Sequence, residues 1–469
     1  MQKSWEALRD KCFWMSLDAY APNAPLRTNV RADLAIVGGG FTGLWTAYHA
    51  LRRVPGRRVT VIEREVVGYG ASGRNGGFAM TSAHRSLKTL SAYVGDAEAR
   101  KIYLMSRRAV QGVTETIVRE GIQCDARATG VTIVSNTAPQ DRRIELELET
   151  AARLGVADDF IALDTAAAQA RIHSERIRRG FHERHCTLVN PARLARGLKA
   201  TVEKLGATVY EHTGVRGWRP NGRGVTIETT GGVVEADQMV LAVNAYGAER
   251  QETRAGVVPF YTYICGTRVL TPNEWSSVGW DAREGAEDRR DGLHYFRPSP
   301  DGRILWGGRN APMHANGPHV RFDQDERQRR RLRETFEWFF PQLKHVPFEY
   351  HWGGPIGMTR DFLPIVGLFP DASRRVAYAY GYNGHGVSTT FLAGHAVLDM
   401  LDGAKTEWTD LYYVDRPAPY AGPLWLRNVI MKIASEAAYR ADDEARKITV
   451  PWSLRMADGL NRALSRFNK

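Results

Sequence analysis

Between residues 32 and 63 the chain runs strand, glycine turn, helix, strand and acid without interruption, and no other feature restricts its fold as much. Ala32-Asp-Leu-Ala-Ile-Val37 is short, apolar and β-branched, the pattern of a parallel strand buried on both faces. Gly38-Gly-Gly-Phe-Thr-Gly43 follows at once and fits GxGxxG through Gly38, Gly40 and Gly43. Leu44 to Arg53 continues as a helix with Leu44, Ala47, Tyr48 and Leu51 on one face. Small residues here permit the tight turn, close approach to a pyrophosphate and helix–strand packing, so the free N–H groups around Phe41 and Thr42 face phosphate. A second strand, Arg58 to Ile62, ends in Glu63, 20 residues after Gly43. That spacing suits a carboxylate bonding the hydroxyls of an adenosine ribose, and its charge disfavours a 2′-phosphate. The pattern predicts dinucleotide binding and leaves NAD and FAD open.

The next stretch favours flavin. Gly68-Tyr-Gly-Ala-Ser-Gly-Arg-Asn-Gly-Gly77 places five glycines in ten residues where a simple NAD domain needs a helix. Such a run lays backbone N–H groups along an extended ligand, with Ser72, Arg74 and Asn75 as polar contacts to phosphate, ribitol or ring. Read on composition alone, the same run is a surface loop.

GGGFTG, the terminal Glu63 and GASGRNGG together resemble the FAD-binding start of the D-amino-acid oxidase superfamily, and within it the γ-glutamylputrescine oxidase-like and aminophosphonate oxidoreductase-like members. The resemblance implies an α/β fold: a Rossmann-like, GR2-type FAD-binding domain interwoven with a mixed β-sheet substrate domain. It covers most of the chain. Asn190-Pro-Ala-Arg-Leu-Ala-Arg-Gly-Leu-Lys199 and Gly206 to Val215 resemble the family's middle helix and strand, where Val215 meets the adenine side. Local chemistry agrees, since Asn190 can cap the helix, Pro191 suits its first position and Gly206 ends it. Asn244-Ala-Tyr-Gly247 resembles the segment closing over the dinucleotide. His351 to Asp361, with Gly354, and Gly381-Tyr-Asn-Gly-His-Gly-Val387 resemble the return to the flavin. The resemblance thus implies cofactor contacts from Arg64, Gly70, Ala71, Gly76, Gly77, Asn244, Gly354, Gly384, His385, Gly386 and Val387, besides the residues above. A helix beginning at Gly386 would aim its positive end at the reduced ring. His385 is read either as a flavin or substrate contact or as a structural hydrogen-bonder.

At 469 residues the chain exceeds a single core and is expected to form two interwoven domains. Residues 1–100, 185–250 and 350–405 are assigned to FAD, 101–184 and 251–349 to substrate, and 406–469 to a helical tail. His294 to Gly308 reads as a hairpin around Pro300-Asp301-Gly302, with Tyr295 and Arg297 on one face. By position these are substrate-side candidates, and Arg297 is a candidate clamp for a carboxylate or phosphonate, with a surface arginine as the alternative. The formal charge of +12 agrees with an anionic amine. Basic residues form no single tract, which argues against nucleic acid as a partner.

The chemistry implied by the resemblance is hydride transfer from an amine carbon to flavin N5, leaving an imine that hydrolyses, with O2 or an electron carrier taking the electrons. FAD is expected to be noncovalent, because 353–361 lacks Cys and 68–77 lacks His. No metal site is expected: the four cysteines are widely spaced, without a CxxC pair. The absence of an apolar leader or a long apolar run predicts a cytoplasmic protein with no more than minor membrane contact. A carrier-linked dehydrogenase, a flavin-binding protein without turnover and an NAD-dependent dehydrogenase remain as alternatives.

Overall fold

The computed structural model describes residues 4–81, 86–290, 292–308, 312 and 317–419. The reading of residues 424 onward as docked helices lies outside them.

Val30–Val37 is the central strand of the first sheet. Val59–Ile62 and Val233–Leu241 flank it in parallel, and Thr208–Tyr210 extends the sheet beyond Val59–Ile62. Alternation along the strand serves two cores. Leu34 and Ile36 face a helical layer, while Ala35 and Val37 face a second cluster containing Val225, Ile227 and Met239. The helical layer is formed by Phe41–Arg53, Pro191–Lys204, Asp96–Arg119 and Gly386–Asp402. Close approach explains its small residues: a Cβ at Gly394 would lie 3.0 Å from the Thr46 backbone nitrogen. Capping agrees with the sequence at Pro191–Lys204, where the Asn190 side chain accepts from the Arg193 N–H.

The second sheet has eight strands in the order Phe348–Met358, Val258–Thr267, Ile304–Gly308, His294–Pro298, Gly285–Asp288, Val131–Ser135, Arg179–Glu183 and Phe160–Leu163. All neighbours are antiparallel except Gly285–Asp288 with Val131–Ser135. This is the mixed sheet expected on the substrate side, and the expected hairpin is in place, with Tyr295 opposite Gly307 and Arg297 opposite Leu305. One assignment differs. Phe348–Met358, read with the nucleotide half, hydrogen-bonds along its length to Val258–Thr267 in the second sheet. Its glycines make room for bulky neighbours: a Cβ at Gly353 would lie 2.6 Å from the Tyr263 ring, and one at Gly354 3.0 Å from Arg74 Cδ. A short third sheet joins Phe78–Met80, Cys186–Leu188 and Arg127–Ala128. None of the described helices is long and apolar enough to cross a membrane.

Candidate active site

A cleft of about 330 Å³ opens at the carboxyl end of the central strand. Gly38 turns there with φ +115°, where a Cβ would lie 2.5 Å from the Ala242 carbonyl oxygen. Gly43 starts the helix against the same turn, and a Cβ on it would lie 2.0 Å from the Gly38 oxygen. The first turn of Phe41–Arg53 therefore faces the cleft with its free N–H groups. Glu63 lines the cleft and is oriented by the backbone N–H groups of Gly39 (2.7 Å) and Glu65 (2.9 Å). Burial raises its pKa, and those two donors oppose the shift.

Most of the expected cofactor residues meet in this cleft: Gly38, Gly40, Phe41, Thr42, Glu63, Arg64, Gly70, Ala71, Ser72, Asn75, Val215, Asn244, Gly384, Gly386 and Val387 all line it. Ser72 Oγ accepts from the Phe41 N–H at 2.9 Å, tying the second glycine loop to the first. Asn244, at φ +41°, accepts from the Gly381 N–H at 2.9 Å and joins the two returning segments. Gly43, Arg74, Gly76, Gly77, Gly354 and His385 are not in the lining. Tyr246, Arg250, Arg216, Tyr382 and Thr390 are, and the sequence reading passed over them. Tyr382 offered a signal, since it lies inside the Gly381–Val387 motif and accepts from Thr42 Oγ1 at 2.9 Å. Arg216 and Arg250 offered none, since each is one arginine among many.

The two arginines expected to touch ligands turn inward instead. Arg74 forms a buried ion pair with Asp323 at 2.8 Å, donates to the Gly353 carbonyl at 3.1 Å, and lies over the Tyr69 ring. Burial pushes the Asp323 carboxyl above its ordinary pKa while Arg74 pulls it down. Arg297 is 2% exposed and is no clamp on an anion, because one terminal nitrogen donates to the carbonyls of Val189 (2.8 Å), Gly77 (3.1 Å) and Gly76 (3.4 Å). Its Nε donates to the Pro298 carbonyl. Burial lowers its pKa to about 10, with Cys186 and the Asp125 carboxylate opposing the shift only in part. Tyr295 packs against the same loop, 3.0 Å from where a Cβ on Gly76 would lie. Two indoles complete the grip: Trp14 donates to the Asn75 carbonyl at 2.9 Å and Trp352 to the Arg74 carbonyl at 2.8 Å. His385 sits beside the cleft with Nδ1 3.4 Å from the Asn383 carbonyl, and desolvation lowers its pKa to about 4, so it is neutral at physiological pH. Tyr263 is a core residue that donates to the Phe322 carbonyl at 2.8 Å.

A second, smaller cavity of about 50 Å³ lies against the second sheet, lined by Glu147, Glu183 and Glu287 together with Arg289, Met80 and Thr81. Burial raises Glu183 and Glu287 to about 7 each. A carboxyl whose folded pKa exceeds its unfolded value near 4.5 binds protons preferentially in the folded state. Its contribution is therefore fully present below the unfolded pKa and is lost as pH rises through about 7. Glu287→Gln removes this loss and is expected to leave stability unchanged near pH 4 while raising it above pH 7, by up to about 3 kcal/mol. Denaturant titration at the two pH values checks it, and equal stability at high pH would show that Glu287 is well solvated.

A family model described as FAD dependent oxidoreductase (DAO) matches residues 33–400. The gamma-glutamylputrescine oxidoreductase of Escherichia coli is 30% identical over 83% of this chain and 88% of its own length. A Haemophilus influenzae protein named "Probable oxidoreductase OrdL" is 27% identical over 87% and 91%. Among solved structures, glycine oxidase from Geobacillus kaustophilus superposes with a TM-score of 0.66 at 21% identity, covering 80% of this chain and 96% of that one. The cleft fits the cofactor these matches imply, because its two glycine turns, its ribose-side acid and its closing helix leave space where side chains would intrude. The chain belongs to the DAO family of FAD-dependent oxidoreductases and binds FAD as an enzyme of the amine and amino-acid oxidase type.

Proposed function

We propose that the protein oxidises a small-molecule amine at its C–N bond, holds FAD noncovalently and passes the electrons to O2. The observation that carries the reading is the convergence, in one cleft, of the glycine turn at Gly38–Gly43, the loop Gly70–Asn75 and the start of helix Gly386–Asp402. Bound FAD supplies a two-electron acceptor for the hydride that leaves the amine carbon. The resulting imine takes up water and splits into a carbonyl compound and an amine or ammonia, while O2 accepts two electrons and two protons and leaves as H2O2.

The residues have three tasks in this reaction. The first turn of Phe41–Arg53 holds pyrophosphate and Glu63 accepts from the ribose hydroxyls. The 17-residue helix opening at Gly386 puts its positive end at the cleft, which favours negative charge there. Pro355, Ile356 and Val387 give the cleft an apolar wall that excludes water. The cleft's described lining contains neither Cys nor His, in keeping with noncovalent binding. Hydride abstraction needs an unprotonated amine, and no side-chain acid–base pair is required for it.

Anaerobic mixing of the holoenzyme with a panel of primary and secondary amines tests the reading. Bleaching of the flavin band by one class of amine is expected, with colour and H2O2 returning on admission of air. Bleaching that air does not reverse, but an artificial electron acceptor does, would replace the oxidase by a dehydrogenase. A flavin that no amine reduces would remove amine oxidation altogether.

A further inference from the structure

Among the described residues, the small cavity behind Phe78–Met80 has more carboxyls than cations in its lining. Glu147 pairs with Arg289 at 3.2 Å and accepts from the Leu87 N–H at 2.8 Å. Glu183 accepts from Tyr103 Oη at 3.3 Å and from Thr81 Oγ1. Glu287 lines the same cavity, is 8% exposed, and has no hydrogen-bond or ion-pair partner among the described residues. Among the described residues three carboxylates therefore share one guanidinium. An unpaired buried carboxylate facing open volume is costly unless it takes up a proton or something of opposite charge enters.

The cavity's place in the fold says which molecule could bring that charge. Glu287 pairs with Tyr295 across adjacent strands, so the two side chains share a sheet face, and the Tyr295 ring lies against Gly76 of the flavin loop. Met80, in the cavity wall, accepts from Ser388 Oγ at 2.6 Å. Ser388 belongs to the helix whose Gly386, Val387 and Thr390 line the large cleft. Apolar walls from Ile133, Phe160 and Phe181 suit methylene groups around a charged end.

We propose that this cavity receives a second, non-reacting ammonium group of the amine substrate, held by Glu287 and Glu183, so that the preferred substrates are diamines or larger polyamines with a methylene chain between two cationic nitrogens. The inference rests on the amine-oxidation reading and narrows its substrate class away from anionic amines, for which Arg297 is no longer available.

The charges around the cavity fix the direction of its pH response. Arg289 and Glu147 face it directly. Asp159 approaches through Tyr103, with Arg107 and His185 paired to it on the far side. Asp288, next to Glu287, is engaged by His294 and Arg290. Among the described residues of the lining, Glu183 and Glu287 change charge near neutrality, both raised to about 7 by burial. A cation binds their ionised forms, so affinity for a diamine is expected to rise as pH increases through about 7, whereas affinity for a monoamine lacks this step.

The test compares α,ω-diaminoalkanes of three to six carbons with n-alkylamines of the same lengths, on wild-type holoenzyme and on Glu287→Gln and Glu183→Gln variants. Two readouts are taken: the concentration dependence of anaerobic flavin reduction, and thermal stabilisation of the oxidised holoenzyme. The expected result is a loss of 10-fold or more in diamine affinity in Glu287→Gln, a smaller loss in Glu183→Gln, and unchanged monoamine affinity. Equal weakening of both amine series would mean that the carboxylates hold the reacting nitrogen and would overturn the second-ammonium site. Unchanged diamine affinity would remove the site entirely. If no amine reduces the flavin, the amine-oxidation reading fails; the cavity is then scored on stabilisation alone, which must be given by diamines to wild type and not to Glu287→Gln.

Discussion

Arg297→Ala protein is expected to purify with most of its flavin missing, and to regain it only at FAD concentrations at least roughly 100-fold above those that saturate the wild type. Removing the guanidinium leaves the Val189 carbonyl without its donor and takes one donor each from the Gly76 and Gly77 carbonyls, of which Gly77 keeps the Val189 N–H at 2.8 Å. At a net contribution of about 1 kcal/mol for each of the three bonds, the organised loop loses about 3 kcal/mol relative to its unfastened form, and FAD binding must make up the difference. The flavin-to-protein absorbance ratio after gel filtration, followed by FAD titration of the apoprotein, measures the effect. Arg297→Lys should recover part of the loss, because one ammonium can reach some of the carbonyls but cannot reproduce the planar fork. Full flavin content combined with a raised KM for anionic amines alone would restore the anion-clamp role that the sequence suggested.

Arg74→Met is expected to destabilise the folded protein by about 3 to 5 kcal/mol, because it strands a buried Asp323 without its cation. For a chain of this length that corresponds to a fall in Tm on the order of 5 to 10 °C. Adding Asp323→Leu should return much of the stability, since it removes the uncompensated charge. Recovery should stop short of wild type, because Arg74 also holds the Gly353 and Gly70 carbonyls. A single variant whose Tm stays within about 1 °C of wild type would show that water already solvates Asp323. A double variant less stable than Arg74→Met would show that Asp323 has partners of its own.

These two residues mark the limit of what the sequence discloses. The turn at Gly38–Gly43, the acid at Glu63 and the cap at Asn190 are legible because each depends on neighbours within about a helical turn or one strand. Direction of a long side chain is different. Whether Arg74 or Arg297 meets a ligand, solvent or a carbonyl is decided by segments that chain folding brings up from afar, such as Asp323 and Val189. Trp14 shows the same limit, for nothing in its own stretch signals that the indole is buried against the flavin loop. The pairing of Phe348–Met358 is hidden in the same way, because the partners that its glycines accommodate, Tyr263 and Arg74, come from distant parts of the chain. Glu287 is silent for another reason: an acid in a short strand says nothing of its burial until the opposing helices are in place.

The grip on Gly70–Gly77 also has a consequence for how the protein is made. Its donors are Trp14, Arg297 and Trp352, so the last of them leaves the ribosome more than 270 residues after the loop itself. At about 5 to 20 residues per second the nascent chain carries an unfastened loop for on the order of tens of seconds. During that interval the Gly38–Gly43 segment has been synthesised, but a fragment shorter than about 350 residues still lacks the Trp352 donor to the flavin loop. Cofactor capture is thereby deferred to the end of translation, and flavin scarcity in the cell would act on completed chains waiting to close rather than on growing ones.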